Sequence, residues 1–184
     1  MEQTQKQQQQ QNTAPTDQKN NRKKLKVTIV GDSQVKRLDQ EKLCNQYRDV
    51  EILGESGMRI KQAAPKTGKT DSDVIIVHAG TNNLSSTSPE QLSTEVLDTL
   101  QKIQDNNKQS TVVFSSVFKR TDKGLNLKII KLHKILNEEL TLNGFDIIDN
   151  DNIHFSNLAK DGLHLNESGT RKYARNLCKF MSYC

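Results

Sequence analysis

The sequence predicts a three-layer α/β/α sandwich built on a five-stranded parallel sheet. Three observations carry this. Strand-like and helix-like patterns alternate regularly from residue 26 onward, the strand runs are continuously apolar, and turn-forming residues close the runs. Strands that are apolar throughout are buried on both faces, which a parallel sheet covered by helices provides.

The elements follow in order. Residues 26–30 form a short β-branched run that stops at Gly31, and a helical stretch continues to about Tyr47. Residues 50–53 are the second strand, ending at Gly54, and 73–78 the third and most buried, with the block Val74-Ile75-Ile76-Val77. Pro89 stands where the first turn of a helix tolerates proline, and that helix runs to about Asp105 with Leu92, Val96, Leu100 and Ile103 on one face. Residues 111–115 are the fourth strand. Ile129, Leu132, Leu136 and Leu140 stripe the next helix, which Asn143-Gly144 ends. Residues 145–148 are the fifth strand. The last helix begins near Asn166 and turns Tyr173, Leu177 and Phe180 inward.

One ordinary domain accounts for the 184 residues. Seven of the first eleven residues are glutamine, so residues 1–25 hold too little apolar surface to offset ordering and are expected to be a disordered tail. That tail carries +3 of the net +5 charge, and a nearly balanced domain is a poor polyanion binder. Any nucleic-acid contact would fall to the tail and its collar Arg22-Lys23-Lys24, which reads most simply as a solvated flank of the first strand. No stretch approaches the ~18 apolar residues of a membrane helix, and no apolar secretory segment opens the chain, so an intracellular, cytoplasmic protein is expected. Cys44, Cys178 and Cys184 make neither a disulfide framework nor a metal set, and no metal or other cofactor is expected.

In a parallel sheet the active crevice lies beyond the C-terminal strand ends. Four short blocks stand there. Gly31-Asp32-Ser33 follows strand one and opens a helix; Ser33 is either a nucleophile or a helix cap. Gly54-Glu55-Ser56-Gly57 follows strand two and offers either a backbone donor or a plain turn. Gly80-Thr81-Asn82-Asn83 follows strand three, and its amides suit an oxyanion or an Asx turn. Asp161-Gly162-Leu163-His164 puts an acid three residues ahead of a histidine, close enough to fix its tautomer; the alternative is a surface histidine. His78, His133 and His154 have weaker claims. Each block is weak alone, yet all four converge on one edge and supply a nucleophile, an Asp–His base and oxyanion donors.

These blocks, in this order, resemble the SGNH (GDSL-type) hydrolase superfamily across residues 26–184. The wording of residues 79–84 and 161–170 is similar to the esterase-like domains in first open reading frame proteins of LINE-type retrotransposons. Intracellular platelet-activating-factor acetylhydrolase subunits are similar at the same blocks. The resemblance implies a flavodoxin-like sheet and a cofactor-free serine esterase acting on a small ester or lipid through an acyl-enzyme. It implies Ser33 as nucleophile, His164 as base and Asp161 as its orienter, with the Ser33 and Gly57 backbone N–H groups and the Asn82 side chain as oxyanion hole. Asn83 stands where many members have Asp, and Gln34 where Leu is common; both departures bear on substrate preference more than on activity. The alternative is a non-catalytic nucleic-acid-binding or assembly module of a retroelement protein. Thr67-Gly68-Lys69-Thr70 only imitates a phosphate loop, since Ala63 stands where that motif needs glycine and no strand precedes it.

Overall fold

The structure, a computed structural model, describes residues 23–184; nearly all of the Gln-rich segment expected to be a tail lies outside the described residues. Five strands form one sheet: β1 (Leu25–Gly31), β2 (Arg48–Gly54), β3 (Val74–His78), β4 (Thr111–Ser115) and β5 (Asp146–Ile148). Their order is β2-β1-β3-β4-β5 and every pairing is parallel. This is the flavodoxin-like arrangement that the resemblance implied.

The two-residue period of the strands sends alternate side chains to opposite layers. Val30, Ile75, Val77, Val112 and Phe114 pack on one face against α3 (Ala63–Thr67), α4 (Pro89–Asn106) and α5 (Lys123–Leu142). Val27, Ile29, Ile76 and Val113 pack on the other against α1 (Ser33–Lys36), α2 (Gln40–Leu43) and α6 (Glu167–Met181). All five residues of β3 are buried, as its sequence demanded. Ser88 caps α4 ahead of Pro89, its side chain accepting from Gln91 N at 3.2 Å, and the four expected apolar positions of that helix are buried.

Four local features differ from the sequence reading. The helix expected from Gly31 to Tyr47 is two four-residue helices, α1 and α2. Asp39 supplies a new N-cap, accepting from Lys42 N at 3.3 Å, and Asn45 then accepts from Tyr47 N and Arg48 N, which turns the chain into β2. The segment after Gly57 contains a 3-10 turn (Ile60–Gln62) and α3, too short to show a helical period. In α6, Met181 is buried and Phe180 only partly, because the stripe that starts at Tyr173 and Leu177 continues to Met181 at a spacing of four. The first strand starts at Leu25, and Lys23 and Lys24 of the basic collar pair with Asp73 (3.1 Å) and Asp49 (2.8 Å). Such exposed pairs contribute little stability. Among the described residues, no helix is long and apolar enough to cross a membrane.

β2 lies on one side of β1 and β3 on the other, so the strand order switches direction between β1 and β3, and the C-terminal ends of these strands are where a parallel sheet is expected to form its crevice. Gly31 is needed there. A Cβ at this position would meet the His78 carbonyl oxygen at 2.2 Å.

Candidate active site

The chain leaves β1 through Gly31, and Asp32 N donates to His78 O at 3.1 Å. Asp32, 1% exposed, is the N-cap of α1, its carboxylate accepting from Gln34 N at 2.9 Å. The cap is therefore Asp32, and Ser33 is the first residue of the helix. Its hydroxyl makes no hydrogen bond among the described residues, so it has no structural task there.

Across the crevice, Asp161 and His164 are joined. His164 Nδ1 lies 2.6 Å from Asp161 Oδ2, while Asp161 Oδ1 accepts from the backbone N–H groups of Leu163 and His164, both at 2.9 Å. The His164 N–H, the ring and the Leu163 N–H hold the Asp161 carboxyl well below the usual carboxylate range. An ionised acid on Nδ1 leaves Nε2 to act as the acceptor. No hydrogen bond joins Ser33 Oγ to the ring in this structure; such bonds commonly close only with substrate in place.

What ties the serine to the histidine loop is a residue that the sequence reading assigned only to substrate preference. Gln34, 2% exposed, donates from Nε2 to Leu163 O at 3.0 Å and accepts at Oε1 from Leu165 N at 3.2 Å. Both chain neighbours of His164 are thus held by the residue next to Ser33. A leucine cannot make either bond. Gln34→Leu should lower kcat by about 10- to 100-fold with KM changed little, the scale for a catalytic group displaced by about 1 Å; a parental kcat would remove this role.

The turn after β2 presents the next donor. Met58 N donates to Glu55 O at 3.3 Å, and Gly57 within this turn has φ +78°, a conformation that a side chain would strain. The Gly57 N–H is left without a partner among the described residues. Asn82 Nδ2 donates to Met58 O at 3.0 Å, which seats the Asn82 amide over the Gly57 turn and leaves its second N–H without a described partner. Asn83 is a brace rather than an exposed donor. It is buried, accepts from Ile60 N at 3.1 Å and donates to Glu95 at 3.1 Å. The structure thus brings Ser33, Gly57, Asn82, Asp161 and His164 to one edge, on loops tied to one another by Gln34, Asn82 and Asn83.

The other histidines lie elsewhere. His78 is fully buried beneath the crevice, with Nδ1 3.1 Å from Ser115 O and its ring against Phe118 and Tyr173. Burial holds its pKa below the usual histidine value despite the nearby Asp32 charge, and burial likewise lowers His133 despite Asp151. Each ring binds its proton more weakly in the folded protein than in the unfolded chain, so the fold is fully favoured above the ordinary value of 6.5 and unfolding takes up protons below it. As pH falls below that value this contribution is lost. Thermal stability should therefore fall from pH 7 toward about pH 5, and His78→Gln, which cannot charge, should flatten that slope.

A second residue missed in the sequence is Arg120, on the loop between β4 and α5. It is 5% exposed, its Nε has no partner, and its position is fixed through its backbone by Asn126. Only its long-range placement near the charges of Asp32 and Asp161 marks it, and no local pattern reports that.

No protein-family model matches the chain, and no curated protein matches it. Solved structures do. A lipolytic protein of the G-D-S-L family from Veillonella parvula DSM 2008 aligns with a TM-score of 0.74 and 14% identity, covering 86% of this chain and 99% of that one. The aryl esterase of M. smegmatis gives 0.71 and 12%, covering 86% and 98%. A carbohydrate esterase family 3 protein from Talaromyces cellulolyticus gives 0.69 and 16%, covering 86% and 97%. At such identities the shared property is the fold: this chain has the α/β architecture of the GDSL, or SGNH, lipolytic proteins and esterases.

Proposed function

We propose that the protein is a serine esterase that hydrolyses a carboxylic ester through an acyl-enzyme. The observation that carries the reading is the 2.6 Å contact between His164 Nδ1 and Asp161 Oδ2, on a loop that Gln34 ties to the helix of Ser33. The esterase and lipolytic structures that share the fold add support.

In this mechanism His164 Nε2 removes the proton of Ser33 as Oγ attacks the ester carbonyl. The charge that develops on the carbonyl oxygen is met by the N–H groups of Ser33 and Gly57 and by Asn82 Nδ2. His164 returns the proton to the departing alcohol. Water, deprotonated by the same nitrogen, then attacks the acyl-enzyme and releases the acid. Asp161 stays ionised throughout and stabilises the imidazolium. No step calls on a metal or an organic cofactor.

A fluorophosphonate probe followed by mapping of the modified residue tests the reading. Labelling at Ser33 alone is expected; labelling at Ser56, Ser115 or another serine would remove the assignment. The narrower likeness to retrotransposon esterase-like domains rests on the wording of residues 79–84 and 161–170. Its nucleic-acid alternative predicts RNA binding by residues 24–184 that weakens steeply with salt and needs none of the proposed catalytic groups.

A further inference from the structure

The loops around the crevice carry both signs of charge, but the two signs are not equally occupied. Glu55, on the Gly57 turn, pairs with Lys66 at 3.1 Å. Glu95 is held by Lys61 at 2.9 Å and by Asn83 at 3.1 Å. Asp32 caps α1 and Asp161 is spent on His164 and two backbone N–H groups. The Arg59 guanidinium, by contrast, forms no ion pair and no side-chain hydrogen bond with another described residue.

Arg59 has a cavity in front of it. About 490 Å³ of space is lined by Gly57, Arg59, Gln62, Asn83, Thr87 and the Lys61–Glu95 pair. No aliphatic or aromatic residue contributes to this lining, and every side chain in it ends in a polar or charged group. The cavity also begins at Gly57, whose N–H is a proposed oxyanion donor, so a substituent on an ester held there can extend into it. Arg59 is anchored through its backbone, its N–H donating to Gln62 Oε1 at 2.7 Å, which leaves the guanidinium free to meet a ligand. A planar fork of donors beside a neutralised acid suits a carboxylate or a phosphate.

We infer that the cavity between Gly57 and Arg59 is a subsite for an anionic group, and that the substrate is an ester bearing a carboxylate or phosphate. This rests on the esterase reading above.

The test compares matched esters at low salt, with spontaneous rates subtracted. 4-Nitrophenyl hydrogen succinate against 4-nitrophenyl butyrate places a carboxylate on the acyl side. 4-Acetoxyphenyl phosphate against 4-methylphenyl acetate places a phosphate on the alcohol side. In at least one pair the anionic ester should have a kcat/KM about five- to tenfold higher, the scale of one partly exposed charge-assisted contact. The pair that responds names the anion. Arg59→Gln should bring that ratio close to one, Arg59→Glu should invert it, and Arg59→Lys should keep part of it. Ratios near one in both pairs, or ratios that Arg59→Glu leaves unmoved, would overturn the subsite while the esterase reading stood. If none of the four esters is hydrolysed and Ser33 takes no label, the esterase reading fails instead. The subsite is then read by NMR titration with monomethyl succinate and methyl butyrate. An Arg59-dependent preference for the anion supports it, and its absence overturns it.

Discussion

Ser33→Ala should lower kcat by about 10⁴-fold or more and abolish fluorophosphonate labelling, because a nucleophile and its base, the roles proposed for Ser33 and His164, act as a unit. On the energy scale this is roughly 5.5 kcal/mol of transition-state stabilisation. The fold should not notice the change. The Ser33 hydroxyl has no hydrogen-bond partner among the described residues, and α1 is capped by Asp32 rather than by Ser33. The expected signature is therefore a silent active site in a protein of unchanged melting temperature. A variant that kept more than about a hundredth of the parental kcat would contradict nucleophilic catalysis by this residue.

The second large effect separates two adjacent asparagines. Asn82→Ala removes a proposed oxyanion donor and should lower kcat by about 10²–10³-fold with little change in KM. Asn83→Ala should act mainly on stability. It leaves the Ile60 N–H and Glu95 without their 3.1 Å partners in a buried place, a loss of about 1–3 kcal/mol. Calorimetry and steady-state kinetics on the two variants should thus give opposite patterns. If Asn83→Ala lost kcat and Asn82→Ala lost only stability, the motif would be misread by one residue.

Much of this architecture is written locally. The run Val74-Ile75-Ile76-Val77 has no polar side chain to face water, and it became the fully buried centre of the sheet. The stripe Leu92, Val96, Leu100, Ile103 fixed the face of α4, and the Asp161–His164 contact spans only three residues. What escaped the sequence is non-local or short. Residues 33–43 carry enough apolar positions to read as one helix, but Asp39 competes for the backbone and divides it. The bonds of Gln34 reach across about 130 positions in the chain, so a polar residue in place of a common leucine was the only local sign of them. Arg120 stands in no local pattern that would single it out, because burial is a property of the assembled loops.

The helical layer formed by α1, α2 and α6 has a consequence for the order in which the molecule is made. It is assembled from opposite ends of the chain: Val35 and Leu43 come from the early helices, while Tyr173, Leu177 and Met181 come from the last one. A chain still emerging from the ribosome can pair all five strands and close the α4–α5 side before this layer is complete. Until α6 arrives, α1 and α2 cover this face alone, and the part that Tyr173, Leu177 and Met181 bury stays open to water. Loss of the final helix, by a premature stop or by clipping after residue 166, would strip a sheet face without touching any of the proposed catalytic side chains. Such a product would be removed by self-association or by quality control before its chemistry could matter.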